Sequence, residues 1–207
     1  MDKKWVVNVP VATVWTNFDS PRKIDEQALT TASNVQDWID TLNYETLLEL
    51  CDANLVQTQA LYGEEVLIVE EKEDWAKVIL LSQPSSKDER GYPGWVPKAQ
   101  ITQAAGWKLK SSSIAVVTSK KAFLYNENKE PFIELSYQTI LPIEDVEGEW
   151  IKVQTPTGYG LIQNSSVTQY PSYNERRKGN GRDIVAAGEQ FLNLPYFWGG
   201  MSSYGYD

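Results

Sequence analysis

Apolar and polar residues alternate in short runs along most of the chain. Between Leu61 and Ile101, Val66-Leu-Ile-Val69 and Trp75-Ala-Lys-Val-Ile-Leu80 are separated by turn-forming residues, and such runs predict strands. The stretch from Ile114 to Tyr170 reads the same way, with strands expected at Ile114-Ala-Val-Val117, Phe123-Leu-Tyr125, Thr139-Ile-Leu141, Trp150-Ile-Lys-Val153 and Gly160-Leu-Ile162. Side by side, the stretches form a weak internal repeat. Asp74-Trp-Ala-Lys-Val78 matches Glu149-Trp-Ile-Lys-Val153, and each precedes a Gly-led strand, Gly94-Trp-Val96 or Gly160-Leu-Ile162. One module used twice is predicted: a small twisted barrel of about five short strands, with Trp and Val of the matched strand inward and Lys outward.

The first copy carries two insertions. Where the second has only Thr155-Pro-Thr-Gly158, the first has Gln83-Pro-Ser-Ser-Lys-Asp-Glu-Arg90. A loop lengthened in one copy is either a functional device or an inert solvent-facing addition. Val11-Ala-Thr-Val-Trp15 reads as the first copy's opening strand, yet strand character does not resume until about Gln59. In between, apolar residues recur at three- and four-residue spacing in Val35-Gln-Asp-Trp-Ile-Asp-Thr-Leu42 and Tyr44-Glu-Thr-Leu-Leu-Glu-Leu-Cys51. This predicts two short helices laid across the barrel, the first capped by Ser33 and Asn34. Cys51 falls on the apolar side of the second and is expected to be a small core residue, because no histidine, lysine or arginine lies near it in sequence to make a thiolate.

Composition narrows the chemistry. Of 207 residues, 28 are acidic and 19 basic, a formal charge of −9. That balance disfavours nucleic acid and anionic lipid; it suits a ligand with a positive group, or is simply a solvating surface. No apolar run is long enough to cross a membrane, and the first ten residues lack the continuous apolar stretch of a signal peptide. The compartment is therefore cytoplasmic, or a signal was removed before this numbering starts. One cysteine permits no intrachain disulfide, no spaced thiolate set suggests zinc, and neither metal nor cofactor is expected. There is no histidine, which removes the commonest general base and the usual activator of a serine or cysteine nucleophile.

The segment Tyr170-Pro-Ser-Tyr-Asn-Glu-Arg-Arg-Lys-Gly-Asn-Gly181 breaks the strand pattern and reads as a linker, with Arg176-Arg-Lys178 a solvated face. A helix is expected over about 182–192, with Ile184, Ala187, Gly188 and Phe191 on one side, ending at Asn193-Leu-Pro195. Then comes Tyr196-Phe-Trp-Gly-Gly200-Met-Ser-Ser-Tyr-Gly-Tyr-Asp207.

The repeated module resembles the bacterial SH3 domain. The last 26 or so residues resemble the opening of the NlpC/P60 cysteine peptidase domain, in which a helix leads to Pro-Tyr-x-Trp-Gly-Gly, small residues, an aromatic residue and Asp, followed by Cys-Ser-Gly. Pro195, Tyr196, Trp198, Gly199, Gly200, Ser203, Gly205 and Asp207 carry the match. In that family the nucleophilic cysteine follows the aspartate, and the histidine base comes later still; no member of the triad is among these residues, so the chain by itself is expected to be inactive. The pairing of two SH3-like modules with this domain resembles the γ-D-glutamyl-L-diamino acid endopeptidases that trim or recycle murein peptides.

The resemblance implies a mainly β chain: two SH3-like barrels, with a helical insertion in the first, followed by the first helix of an α+β papain-like domain. The expected domains are 1–104 with the insertion at about 20–56, then 105–170, a linker at 171–181, and 182–207. It further implies that the first module walls the cleft, restricting cleavage to murein stem peptides of the L-Ala-γ-D-Glu-diamino acid type with a free amino terminus. Tyr92, within Arg90-Gly-Tyr-Pro-Gly-Trp95, is the residue expected to face the peptide, with a turn or core tyrosine as the alternative. Glu64, in Tyr62-Gly-Glu-Glu65, either pairs with the substrate's ammonium group or is an ordinary turn glutamate. Tyr196, Trp198 and Asp207 carry over as cleft residues. Without the rest of a catalytic domain, this final stretch is expected to fray or to fold back onto the second module. Two rivals remain: a non-catalytic cell-wall-binding protein using tryptophan-rich grooves, and a module that holds proline-rich peptides.

Overall fold

A computed structural model describes residues 3–31 and 35–207, with the side chain of Lys3 left out; the expected cap at Ser33 and Asn34 lies outside the described residues. The first sheet is built from β1 (Lys3–Val7), β2 (Val11–Trp15), β3 (Val56–Leu61), β4 (Glu65–Lys72), β5 (Trp75–Leu80), β6 (Tyr92–Pro97) and β7 (Ile101–Ala105). The second uses β8 (Ile114–Val117), β9 (Lys121–Tyr125), β10 (Pro131–Ser136), β11 (Ile140–Glu147), β12 (Trp150–Thr155), β13 (Gly158–Gln163) and β14 (Val167–Tyr170). The orders are β3-β2-β6-β5-β4-β1-β7 and β10-β9-β13-β12-β11-β8-β14, the same path shifted by seven strands, so the repeat is structural.

Three expectations are corrected. Each module has seven strands, and β1, not β2, opens the first. Trp5 pairs with Val66 of β4 and Gln103 of β7, as β8 pairs with β11 and β14. The matched tryptophans are also not inward. Ala76 and Val78, like Ile151 and Val153, are buried, whereas Trp75 and Trp150 are half-buried on the other side with Lys77 and Lys152. A strand's side chains alternate with period two, so Trp and Lys two residues apart share a face.

Residues 16–55, between β2 and β3, form a 3-10 turn at Lys23–Leu29 and the helices α1 (Val35–Thr41) and α2 (Tyr44–Asp52). α2 opens with a reciprocal cap: Asn43 accepts the Thr46 amide at 2.9 Å, and Thr46 Oγ1 accepts the Asn43 amide at 2.9 Å. The inserted elements build a core of their own on the outer face of β2 and β6. Trp38 packs against Trp15 at 5.8 Å with the rings tilted by 51°, Phe18 meets Trp95 edge-on at 5.5 Å, and Val35, Ile39 and Leu50 are buried around them. The Trp38 indole donates to Asp25 at 3.0 Å, and Arg22 holds the same wholly buried carboxylate at 2.9 Å; the buried charge is thereby paired and hydrogen-bonded. Cys51 is half-buried; Leu50 is the buried residue of α2, because the helix turns its Leu47–Leu50 side toward the barrel.

Candidate functional site

The site begins with the turn after α3 (Gly181–Glu189). Residues 195–207 fold back on themselves: Phe197 N–H donates to Tyr206 O at 3.0 Å, and the short strands β15 (Met201–Ser202) and β16 (Gly205–Tyr206) pair. The glycines are steric necessities. A Cβ on Gly200 would lie 2.4 Å from Gly205 O, and one on Gly205 would lie 2.6 Å from Phe197 Cβ. Gly199 takes φ +69°, a region where side chains are disfavoured. The turn gathers donors on Asp207, whose Oδ1 accepts the Tyr196 hydroxyl at 2.8 Å and whose Oδ2 accepts the Gly199 amide at 3.2 Å. That carboxylate raises the pKa of the Tyr196 phenol, because deprotonation would lose the hydrogen bond and set two anions together.

The segment neither frays nor leans on the second module alone. Phe197 is wholly buried, 5.3 Å from Trp38 in the inserted core. Trp198 Nε1 donates to Val56 O at 3.1 Å, and Met201 N–H donates to Gln59 Oε1 at 3.1 Å, both on β3. Toward the second module, Ser203 Oγ accepts the Tyr137 amide at 2.9 Å, Ser203 N–H donates to Ser136 Oγ at 2.9 Å, and Tyr204 donates to Glu134 at 3.0 Å. The expected fraying is overturned because both modules offer complementary surface. α3 itself is largely exposed, including Ile184 and Val185; Phe191, beyond its end, is held between Tyr137 and Tyr206 at 5.2 and 5.0 Å.

Tyr92 comes to this turn through a residue that sequence reasoning missed. A Cβ on Gly199 would stand 3.3 Å from the carbonyl of Gln57, and the Gln57 side-chain oxygen accepts the Tyr92 hydroxyl at 3.4 Å and the Lys87 ammonium. Lys87 comes from the enlarged loop, 3.5 Å from the Tyr92 oxygen and 5.1 Å from its ring. The only signal for Lys87 was the length of that loop; Gln57 gave none, being one polar residue on a strand thought to begin two residues later. The loop closes on itself through Asp88 and Arg90 at 2.8 Å, which lowers the Asp88 pKa to about 2. It enters β6 at Gly91, where a Cβ would meet Leu80 O at 2.1 Å.

Glu64 faces elsewhere. Its Oε2 accepts the Leu61 amide at 2.9 Å, while Oε1 accepts Ser82 Oγ and, at 3.3 Å, Gln83 Nε2; the carboxylate thus ties down the start of the enlarged loop. Burial raises its pKa, partly offset by those donors. It lines a cavity of about 460 Å³ between the modules, which Tyr92, Tyr196, Trp198 and Asp207 do not line. The structure thus joins Tyr196, Trp198 and Asp207 in one turn, brings Tyr92 against it through Gln57, and sets Glu64 apart. Among the described residues no cluster of histidine, cysteine, aspartate or glutamate is arranged to hold a metal.

Residues 52–101 match the bacterial dipeptidyl-peptidase SH3 domain, and residues 117–170 match the YKFC SH3b2 domain. A crystal structure of an NlpC/P60 family protein from Bacillus cereus superposes with a TM-score of 0.92 at 35% identity, covering 99% of this chain and 68% of that one. The chain belongs to the NlpC/P60 family. Its relatives there include the γ-D-glutamyl-L-lysine dipeptidyl-peptidase of Bacillus subtilis, 40% identical over 95% of this chain, and that of Bacillus cereus, 35% identical over all of it. The chain spans 64% and 63% of the lengths of these two relatives, so its kinship is with NlpC/P60 peptidases and its matched domains are their SH3 modules.

Proposed function

We propose that this chain is the substrate-restricting region of a cysteine endopeptidase that cleaves γ-D-Glu-diamino acid bonds in murein stem peptides with a free amino-terminal L-Ala. In this reading residues 1–104 and 105–170 are the two modules, 171–181 connect them to the peptidase domain, and 182–207 open that domain. The observation that carries it is the seating of the Trp198-Gly199 turn against β3, where Gln57 links it to Tyr92 and Lys87. A wall contributed by one domain thereby stands beside the family's cleft residues on another. Tyr196, Trp198 and Asp207 shape the cleft, and Tyr92 supplies a hydroxyl and a ring edge for the first residue of the peptide. Glu64 acts at one remove: it fixes the loop that carries Lys87 rather than meeting the peptide's ammonium group. Nucleophile and base are not among the 207 residues, which contain no histidine.

Turnover is the test. The chain alone should release no L-Ala-γ-D-Glu from L-Ala-γ-D-Glu-L-lysine, and measurable release would overturn the assignment. Joined to a catalytic remainder, Tyr92→Phe should lower kcat/KM for the free-amine peptide about tenfold while sparing an N-acetylated one, the loss expected for one hydrogen bond to a charged group. A second reading, attachment to cell wall, is favoured by the open aromatic face of the second module, where Phe123, Phe132 and Tyr159 are exposed. Retention of the chain on purified peptidoglycan would support it, and full recovery in the supernatant would exclude it.

A further inference from the structure

The cavity that Glu64 lines has walls from four parts of the molecule: β3 with the turn into β4, residues 81–83 at the start of the enlarged loop, the second module with the segment that follows it, and the β15–β16 hairpin. Its volume of about 460 Å³ falls in the range of small-molecule sites. Tyr62, Tyr137, Tyr173 and Tyr206 supply broad apolar faces. The polar groups among them are unevenly satisfied. Gln59 is wholly buried; its Oε1 takes the Met201 amide, but its Nε2 has no hydrogen-bond partner. A buried amide donor left unpaired is costly and rare in a finished structure. Gln83 donates to the backbone carbonyl of Gln59, at 2.8 Å, and to the Glu64 carboxylate, and all three residues line the cavity.

Two cations also border the cavity. Lys110 and Arg176 line it, and neither has a carboxylate within ion-pair reach among the described residues; Arg176 lies 3.9 Å over the Tyr173 ring and donates to Tyr173 O. Glu65, also in the lining, is neutralised by Lys4 at 2.8 Å. The space therefore offers two unpaired cations, one carboxyl whose burial penalises its charge, and one free amide donor.

We propose that this cavity binds a small acidic amino compound, an amino acid or dipeptide with one ammonium group and two carboxylates. The ammonium faces Glu64, one carboxylate takes the Gln59 amide, and the remaining negative charge meets Lys110 and Arg176. Because its walls belong to both modules, an occupant also fastens them to each other.

Met1 and Met201 are the only methionines, and Met201 lines the cavity. Methyl-labelled methionine in the whole chain therefore reports occupancy by NMR, with L-alanyl-L-glutamate as the probe. The Met201 methyl should shift saturably with millimolar dipeptide, and the diamide of the same dipeptide should leave it in place. Lys110 is exposed, so Lys110→Glu should fold normally and weaken binding by about tenfold or more, while Tyr92→Phe should change it by less than about twofold. No saturable shift, or a shift indifferent to Lys110→Glu, makes the cavity a solvent gap. A shift abolished by Tyr92→Phe puts the dipeptide on the Tyr92 wall instead. Either result overturns the proposal; the second leaves the Tyr92 reading intact.

Discussion

The two modules share a strand order and differ at two connections. Between β2 and β3 the first holds residues 16–55, whereas the second turns at residues 126–130; between β5 and β6 the first holds residues 81–91, whereas the second turns at Pro156 and Thr157. The same outer face consequently has opposite fates. Trp15 and Trp95, paired across β2 and β6, disappear under the inserted helices, while their counterparts Tyr125 and Leu161, paired across β9 and β13, lie on an open face with Phe123 and Tyr159 exposed. A frame set by period-two strands tolerates these additions because they leave from strand ends, and both additions lie on the module that carries Gln57, Lys87 and Tyr92.

Trp38→Ala probes that difference hardest. It empties a site packed by Trp15 and Phe197 and takes one of its donors from the buried Asp25 carboxylate, which Arg22 still holds, and should cost about 4 kcal/mol. Hydrogen exchange should show β2 and β3 losing protection while β9 and β10 keep theirs; equal losses would mean that the modules unfold as one. The matched glycines come next. A Cβ on Gly94 would lie 2.4 Å from Val14 Cγ1, whereas one on Gly160 has nothing nearer than 3.3 Å. Gly94→Ala should lower stability by about 2 kcal/mol and Gly160→Ala by under about 1 kcal/mol, read from urea midpoints. Ser203→Ala removes a buried link to the second module and should cost about 1 kcal/mol, opening 195–207 to proteolysis before either barrel.

The smallest effect is in pH. Asp88 falls from 3.8 to about 2 on folding, so its contribution is complete above 3.8 and fades as pH drops toward 2. Glu64 is raised from 4.5, so its contribution is complete below 4.5 and fades as pH rises through its folded value. Order in the enlarged loop should peak between the two. The Lys87 amide shift should follow that course while the Thr157 amide, in a turn without carboxylates, stays flat.

Strands, repeat, both inserted helices and the lengthened loop were legible because each is a local change of period or spacing. β1 is hidden when the first ten residues are read only as a leader, although Trp5-Val6-Val7 has the character of its counterpart Ala115-Val116-Val117. Misplacing Trp75 came from treating a large apolar ring as core regardless of parity. The seat of 195–207 was not legible: Phe197 occupies an unspecified position of the motif, yet it is the residue that enters the inserted core. Gln57 likewise has no local signature, since its role arises from what Tyr92, Lys87 and Gly199 bring to it across the fold.

The outermost strands β3 and β10 lead to a last consequence. Strands at the margin of a sheet invite pairing with another chain, which is how folded proteins come to aggregate. The backbone carbonyl of Val56 on β3 is taken by Trp198, and the far end of β10, at Ser136 and Tyr137, is held by Ser203. One short segment thus occupies part of one margin of each barrel, and the same residues that carry the peptidase motif there leave less open edge for a stranger's strand.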